Sequence, residues 1–144
     1  MPATGDRNDP YASFNFIVEI DGVIVGGFSE CGGLTTETTI IEFREGTDTT
    51  TRKLLGQNKF GNITLKRGYT ASKVLWEWRK LTINGKPQRK SGTIQLLDEA
   101  RQPALKWNFR EGWPSKWEGP ALNAKNNEVA IESLEIAHEG LELA

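Results

Sequence analysis

The stretch GGFSECGGL, residues 26–34, holds the single cysteine of the chain, Cys31, among four glycines. Within it, GFSEC approaches the G-x-S-x-G elbow of hydrolases, where a tight strand-to-helix turn exposes a nucleophile. Cys31 stands where that motif ends in glycine, and the segment after it reads as a strand, not a helix. A nucleophile at Ser29 or Cys31 needs a base within hydrogen-bond reach, and His138, the only histidine, is the one conventional partner. A small buried thiol in a glycine-permitted turn, with a histidine on a strand, accounts for the same residues without chemistry. A cysteine hydrolase using Cys31 and His138 therefore stands as an alternative reading, and the expectation is no catalytic residue. A phosphate cradle would need backbone amides converging on a helix N-terminus, and none follows here. Gly26, Gly27, Gly32 and Gly33 instead fit backbone that bends sharply or runs close to another chain. With no second histidine or cysteine, and carboxylates scattered singly among strands, no metal site or cofactor is expected.

Five tryptophans, Trp76, Trp78, Trp107, Trp113 and Trp117, invite a carbohydrate platform. Trp78 falls on the apolar stripe of a helix and Trp107 on the apolar phase of a strand, which assigns both to the core. The prolines beside Trp113 mark a structural corner. The basic run KPQRK, residues 86–90, reads as a solvated loop.

Composition narrows the function classes further. The 144 residues carry 18 basic and 19 acidic side chains, so no strong field draws the chain to nucleic acid or membrane. The apolar runs are far short of a membrane span, and no membrane binding of its own is expected. The N-terminal MPATGDRNDPY lacks the layout of a secretory signal, which predicts a soluble, cytosol-made chain. One cysteine excludes an internal disulfide, so packing must stabilise the fold.

These residues must be positioned by strands. After a polar tail over 1–9, Phe14, Phe16, Val18 and Ile20 alternate with Asn15, Ile17 and Glu19, a period of two. Asp21-Gly22 is a hairpin turn, and VIVGGF returns as a second strand. TTETTIIEFRE (35–45) is a third strand by its β-branched centre, and NITLKRG (62–68) a further one. Between them 46–59 loses periodicity and reads as a long polar loop with Leu54 and Leu55 at its centre. Thr70 and Ser72 are candidate N-caps for a helix whose Val74, Leu75, Trp78 and Leu81 form one stripe, ended by Asn84-Gly85. GTIQLLD (92–98) and the alternating Leu105, Trp107, Phe109 give two more strands, WPSKWEGP (113–120) an irregular crossing. In the last segment Val129 and Ile131 fit one strand phase, Leu134 and Ile136 the other, which predicts a bulge near Ser133. The expectation is a single domain over 1–144, mainly β: an antiparallel sandwich or barrel of about seven strands with one packed amphipathic helix.

Chemistry is sparse in this chain, whereas strands with few edge-blocking residues are plentiful, and such edges favour pairing with another chain. A loop as long as 46–59 is too long for an idle connection. Leu54 and Leu55 would each gain roughly 1.5–3 kcal/mol under a covering partner. The residues thus point to an assembly subunit whose extended segment reaches a neighbour.

Taken in order, DPYASFNFIVEIDG, GGFSECGGL, FREG, RKLLG, NITLKRG, LWEW and WPSKWEGPALNAKNNEVAIESLEIAHEG closely resemble the inner-tube proteins of contractile phage tails and extracellular contractile injection systems. The resemblance runs from about residue 9 to the C-terminus, and the type VI secretion tube protein shares the implied fold. It implies a non-enzymatic structural subunit that forms hexameric rings by edge pairing, stacked head to tail into a hollow tube propelled by sheath contraction. Implied partners are identical copies, the sheath, the baseplate or spike, the tube terminator, and luminal cargo, either protein effectors or, in a phage tail, DNA. The implied site of assembly is the bacterial cytoplasm, and the particle acts outside the cell. By the same resemblance, 46–59 projects between rings, with Arg52, Lys53, Leu54 and Leu55 at the stacking interface and the glycines of 26–33 at a subunit boundary.

Overall fold

A computed structural model describes residues 15–25, 27–69, 71–125 and 129–144. Along the chain run β1 (Phe16–Ile20), β2 (Val23–Val25), β3 (Phe28–Gly32), β4 (Thr36–Phe43), β5 (Arg52–Phe60), β6 (Ile63–Gly68), α1 (Val74–Ile83), β7 (Lys90–Leu97), β8 (Pro103–Glu118), β9 (Ile131–Ala137) and β10 (Gly140–Leu143). Among the described residues, eight strands form one antiparallel sheet in the order β2-β1-β7-β8-β9-β6-β3, with β10 also on β8, while β4 and β5 pair only with each other.

The sixteen-residue β8 is the spine. Its first half pairs with β7 and β10, its second half with β9. The change of partners falls at Glu111, in the left-handed region (φ 54°), and Gly112, where a Cβ would stand 2.7 Å from the Phe109 ring. The sheet thereby folds into two leaves, β2-β1-β7-β8-β10 and β8-β9-β6-β3, and is a sandwich without being a closed barrel. Val18, Ile20, Ile94 and Phe109 from the first leaf meet Ile63, Leu65, Leu134 and Ile136 from the second. Leu75 and Trp78 of α1 complete this core, with the Trp78 indole donating to the Gln88 carbonyl (2.8 Å). The mainly β class with one packed helix is as the sequence predicts.

Several elements differ from the sequence-based expectation. Among the described residues there are ten strands, where about seven are expected. VIVGGF is not one strand: β2 ends at Val25, and FSECG is a strand of its own, β3, paired with β6. The 46–59 segment is not an open loop, since residues 52–60 form β5. WPSKWE belongs to β8, where a register shift between Pro114 and Lys116 accommodates the proline, which has no N–H to give the ladder. That slip lies in β8, not near Ser133, and β9 runs in unbroken register against β6 from Ile131 to Ile136. The apparent phase change in β9 arises because Glu132 takes an inward position while Ile131 stays exposed. The helix cap falls on Lys73, with no side-chain cap bond, instead of on Ser72, and Thr70 lies outside the described residues. Leu75 and Trp78 are buried as the stripe predicts, whereas Val74 and Leu81 remain exposed.

Candidate functional site: sheet edges and an unaccompanied arm

The catalytic alternative can be tested residue by residue. Cys31 lies on β3 opposite Leu65 and packs against the core, where burial pushes its thiol from 9.0 up to about 11. A thiol held neutral in this way is a poor nucleophile. The two ring nitrogens of His138 face backbone carbonyls, Nε2 at 2.9 Å from Gly61 O and Nδ1 at 3.1 Å from Gly140 O. No ring nitrogen is left to serve Cys31 or Ser29, whose hydroxyl donates to the Lys66 carbonyl (3.2 Å). Among the described residues no group of three or more His, Cys, Asp or Glu is placed to hold a metal, and no helix is long and apolar enough to cross a membrane.

The glycine cluster has an intramolecular explanation at two positions. Gly27 (φ 81°) turns the chain from one leaf to the other. Gly33 (φ 84°) leads from β3 towards the arm, and a Cβ there would stand 1.8 Å from the Asn62 carbonyl oxygen. Gly32 has open space around it, and Gly26 lies outside the described residues.

What remains unsatisfied is backbone and apolar surface. Among the described residues the first leaf ends in free edges on both sides, β2 and β10. Asp21 (φ 59°) and Gly22 (φ 79°) form the two-residue mirror-image turn that the Asp-Gly pair predicts. In such a hairpin the flanking pair Ile20 and Val23 is hydrogen-bonded, so by alternation the N–H and C=O of Ile24 face the open edge. On β10 the Ala144 N–H donates to Lys106 O, so the N–H of Leu143 likewise faces outward. Both residues are well exposed, Ile24 at 59% and Leu143 at 64%.

β4 and β5 make a separate two-stranded arm, nearly all of it exposed. Its cross-strand pairs include Ile40 with Leu55 and Ile41 with Leu54, and because successive residues alternate in face, the two pairs lie on opposite sides. Phe43 lies opposite Arg52, Glu42 opposite Lys53, and near the turn Arg52 Nε stands 3.4 Å from Asp48 Oδ2. The arm thus contains all four residues expected at a stacking interface, Arg52, Lys53, Leu54 and Leu55. Ile40, Ile41 and Phe43 join them, and sequence reasoning assigned those only to a strand. The signal was present as two apolar dipeptides, Ile40-Ile41 and Leu54-Leu55, on either side of the polar GTDTT turn region. A lone two-stranded hairpin is marginal in water, and an apolar pair on each face leaves it incomplete without neighbours.

Open edges, an unaccompanied arm and spent nucleophiles define an assembly subunit. A family model described as T4-like virus tail tube protein gp19 matches residues 12–142. The chain belongs to this family and is a tail tube protein. Among solved structures, a chain of the anti-feeding prophage tube-terminating cap is 28% identical, with TM-score 0.84 over 100% of this chain and 99% of that one. A chain of the PVC sheath–tube complex, an extracellular contractile injection system in its extended state, is 24% identical, with TM-score 0.84 over 95% and 93%. Hcp1 from Flavobacterium johnsoniae shares the fold at 16% identity, with TM-score 0.58 over 90% and 94%. None of the curated proteins compared matches the chain.

Proposed function

We propose that the chain forms hexameric rings that stack head to tail into the inner tube of an extracellular contractile injection particle. Lateral contact joins the β2 edge of one copy to the β10 edge of the next, which removes edges that are an aggregation hazard on a free monomer. The turn at Gly27 lies just past β2 and so at that subunit boundary. Stacking uses the β4–β5 arm, whose Leu54, Leu55 and Ile40, Ile41 are covered by the adjacent ring, with Arg52 and Lys53 beside them. Ring closure returns on itself, whereas stacking repeats without end, which gives a tube. Sheath, baseplate or spike, and terminator proteins are the further partners. The likeness to the anti-feeding prophage cap and to the PVC sheath–tube and sheath/tube terminator structures supports them, as does the six-fold symmetry of the anti-feeding prophage baseplate. Assembly takes place in the bacterial cytoplasm and the particle acts outside the cell. The tube conducts protein cargo. The family description, a virus tail tube, favours DNA conduction in a phage tail as the second reading.

The observation that carries the proposal is the arm with apolar pairs on both faces, whose strands pair with no other strand among the described residues. Negative-stain imaging of the purified protein at high concentration tests it. Rods of uniform width are expected, and deletion of residues 48–56 is expected to leave single rings. A wild-type protein that stays monomeric, or a deletion variant that still makes rods, would overturn it.

A further inference from the structure

We infer that Thr39 and Gly56 form a register lock in the β4–β5 arm, and that this lock sets which side chains each face of the arm presents. The lock positions a surface that stacks as proposed above, and so rests on that reading. In most sheets register is fixed by burying one face, because a slip of one residue would carry the apolar side chains to solvent. Both strands of this arm are exposed along nearly their whole length, so burial cannot choose between registers. The choice must be made inside the arm.

Two registers meet there. At the root Thr36 lies opposite Phe60, Glu37 opposite Lys59 and Thr38 opposite Asn58, whereas from Ile40 onward the partners are Leu55, Leu54, Lys53 and Arg52. One residue of β4, Thr39, therefore faces two of β5, Gly56 and Gln57, which makes a bulge in β5. A bulge interrupts the ladder, and the Thr39 hydroxyl fills the gap: it accepts from the Gln57 N–H (2.7 Å) and donates to the Gln57 carbonyl (3.3 Å). Gly56 lets the strands close over that contact, since a Cβ there would stand 2.7 Å from the Thr39 carbonyl oxygen and closer still to the hydroxyl. Within the two strands only Thr39, Gly56 and Phe60 are half-buried.

The root is held by the body and cannot slip to relieve the bulge. The Gly61 N–H donates to Thr35 O (3.2 Å), Thr38 Oγ1 donates to Asn58 Oδ1 (2.8 Å), and the Phe60 ring packs on His138 with centroids 5.8 Å apart. Any slip therefore falls on the tip. Without the bulge the root register would run on, placing Ile40 opposite Gly56, Ile41 opposite Leu55, Glu42 opposite Leu54, Phe43 opposite Lys53 and Arg44 opposite Arg52. Leu54 and Leu55 would exchange faces, as would Arg52 and Lys53. The locked register instead sets Ile40 against Leu55 on one face, Ile41 against Leu54 on the other, and Glu42 beside Lys53. It gives up regular ladder bonds for a directly opposed apolar pair on each face, which is the surface that stacking uses.

Cross-strand disulfides read the register directly. In a Cys31→Ser background, Glu42→Cys and Lys53→Cys are opposite in the locked register, whereas Phe43→Cys and Lys53→Cys are opposite only in the slipped one. In dissociated subunits oxidised with copper–phenanthroline, the first pair is expected to close and the second to stay open. Adding Thr39→Val or Gly56→Ala should lower the ratio of first to second closure by about tenfold, the scale of a net hydrogen bond or two. Thr39→Ser keeps the hydroxyl and should leave the ratio as it is. Without the added cysteines, Thr39→Val and Gly56→Ala should lose rods from the sedimented fraction, and Thr39→Ser should retain them. A ratio that neither Thr39→Val nor Gly56→Ala moves would overturn the lock and leave the tube reading standing. A shifted ratio with rods formed as by the wild type would instead overturn the part given to the arm in stacking.

Discussion

Burial disfavours the charged form of the Cys31 thiol and lifts it to about 11, so in the folded chain the neutral form dominates at ordinary pH. The stability this adds is complete below the unfolded value of 9.0 and is lost as pH rises through about 11. Alkylation of folded Cys31 near pH 8 should run roughly a hundredfold slower than that of a free cysteine. Cys31→Ala should leave assembly intact, as timed alkylation and imaging would show. The inward Glu132 is the charged exception in the core. It is 2% exposed and accepts from both Arg67 Nε and the Trp117 indole N–H (3.1 Å). Glu132→Ala strands a buried guanidinium whose Nη2 already lacks a partner, and should cost about 3–5 kcal/mol in denaturant unfolding of the monomer. The same residue explains a misreading. A glutamate in the inward phase of a strand looks like an outward residue until its partner, sixty-five positions away, is known.

At the scale of elements, the arm shows where periodicity ceases to inform. Alternation in a strand records one covered face, which made β6 legible, whereas in β9 the inward Glu132 disguised the same alternation. β5 has no covered face among the described residues, and RKLLGQNKF carries no alternation and reads as a loop. Its strand character comes from pairing with the preceding β4, from Phe43 opposite Arg52 to Thr36 opposite Phe60, with a register shift between Thr38 and Ile40. Because the apolar pairs lie on opposite faces, Leu54→Asp and Leu55→Asp should each, singly, abolish stacking while leaving the melting temperature of the dissociated subunit within a few degrees. Sedimentation of each variant measures this. If only one substitution matters, the arm lies against a single surface and is not clasped on both sides. β8 gives the complementary lesson. Pro114 argues locally against a strand, yet a bulge between Pro114 and Lys116 lets β8 continue against β9 past the change of partners at Glu111 and Gly112.

At the scale of the whole molecule, the first leaf is open at both ends among the described residues, and the proposed ring closes it with identical copies. Leu143→Pro removes an N–H that faces the open edge without breaking the ladder to β8, so it should block rings while preserving the monomer fold. Analytical ultracentrifugation with circular dichroism checks both halves of that expectation, and normal rings would show that β10 is not a lateral edge. The sequence by itself determined the period-two segments, the Asp-Gly hairpin, the single amphipathic helix and the poverty of reactive groups. Each of these depends on residues within a few positions of one another or on simple counts. Its ordered motifs also carried the family resemblance. Only the tertiary structure decided that His138 is engaged by two carbonyls, that Glu132 is an inward ion-pair member, and that β2 and β10 bound the same leaf. It alone decided that two apolar dipeptides meet across an arm. These are long-range pairings, and register between distant strands is fixed by the packed core rather than by any local stretch of chain.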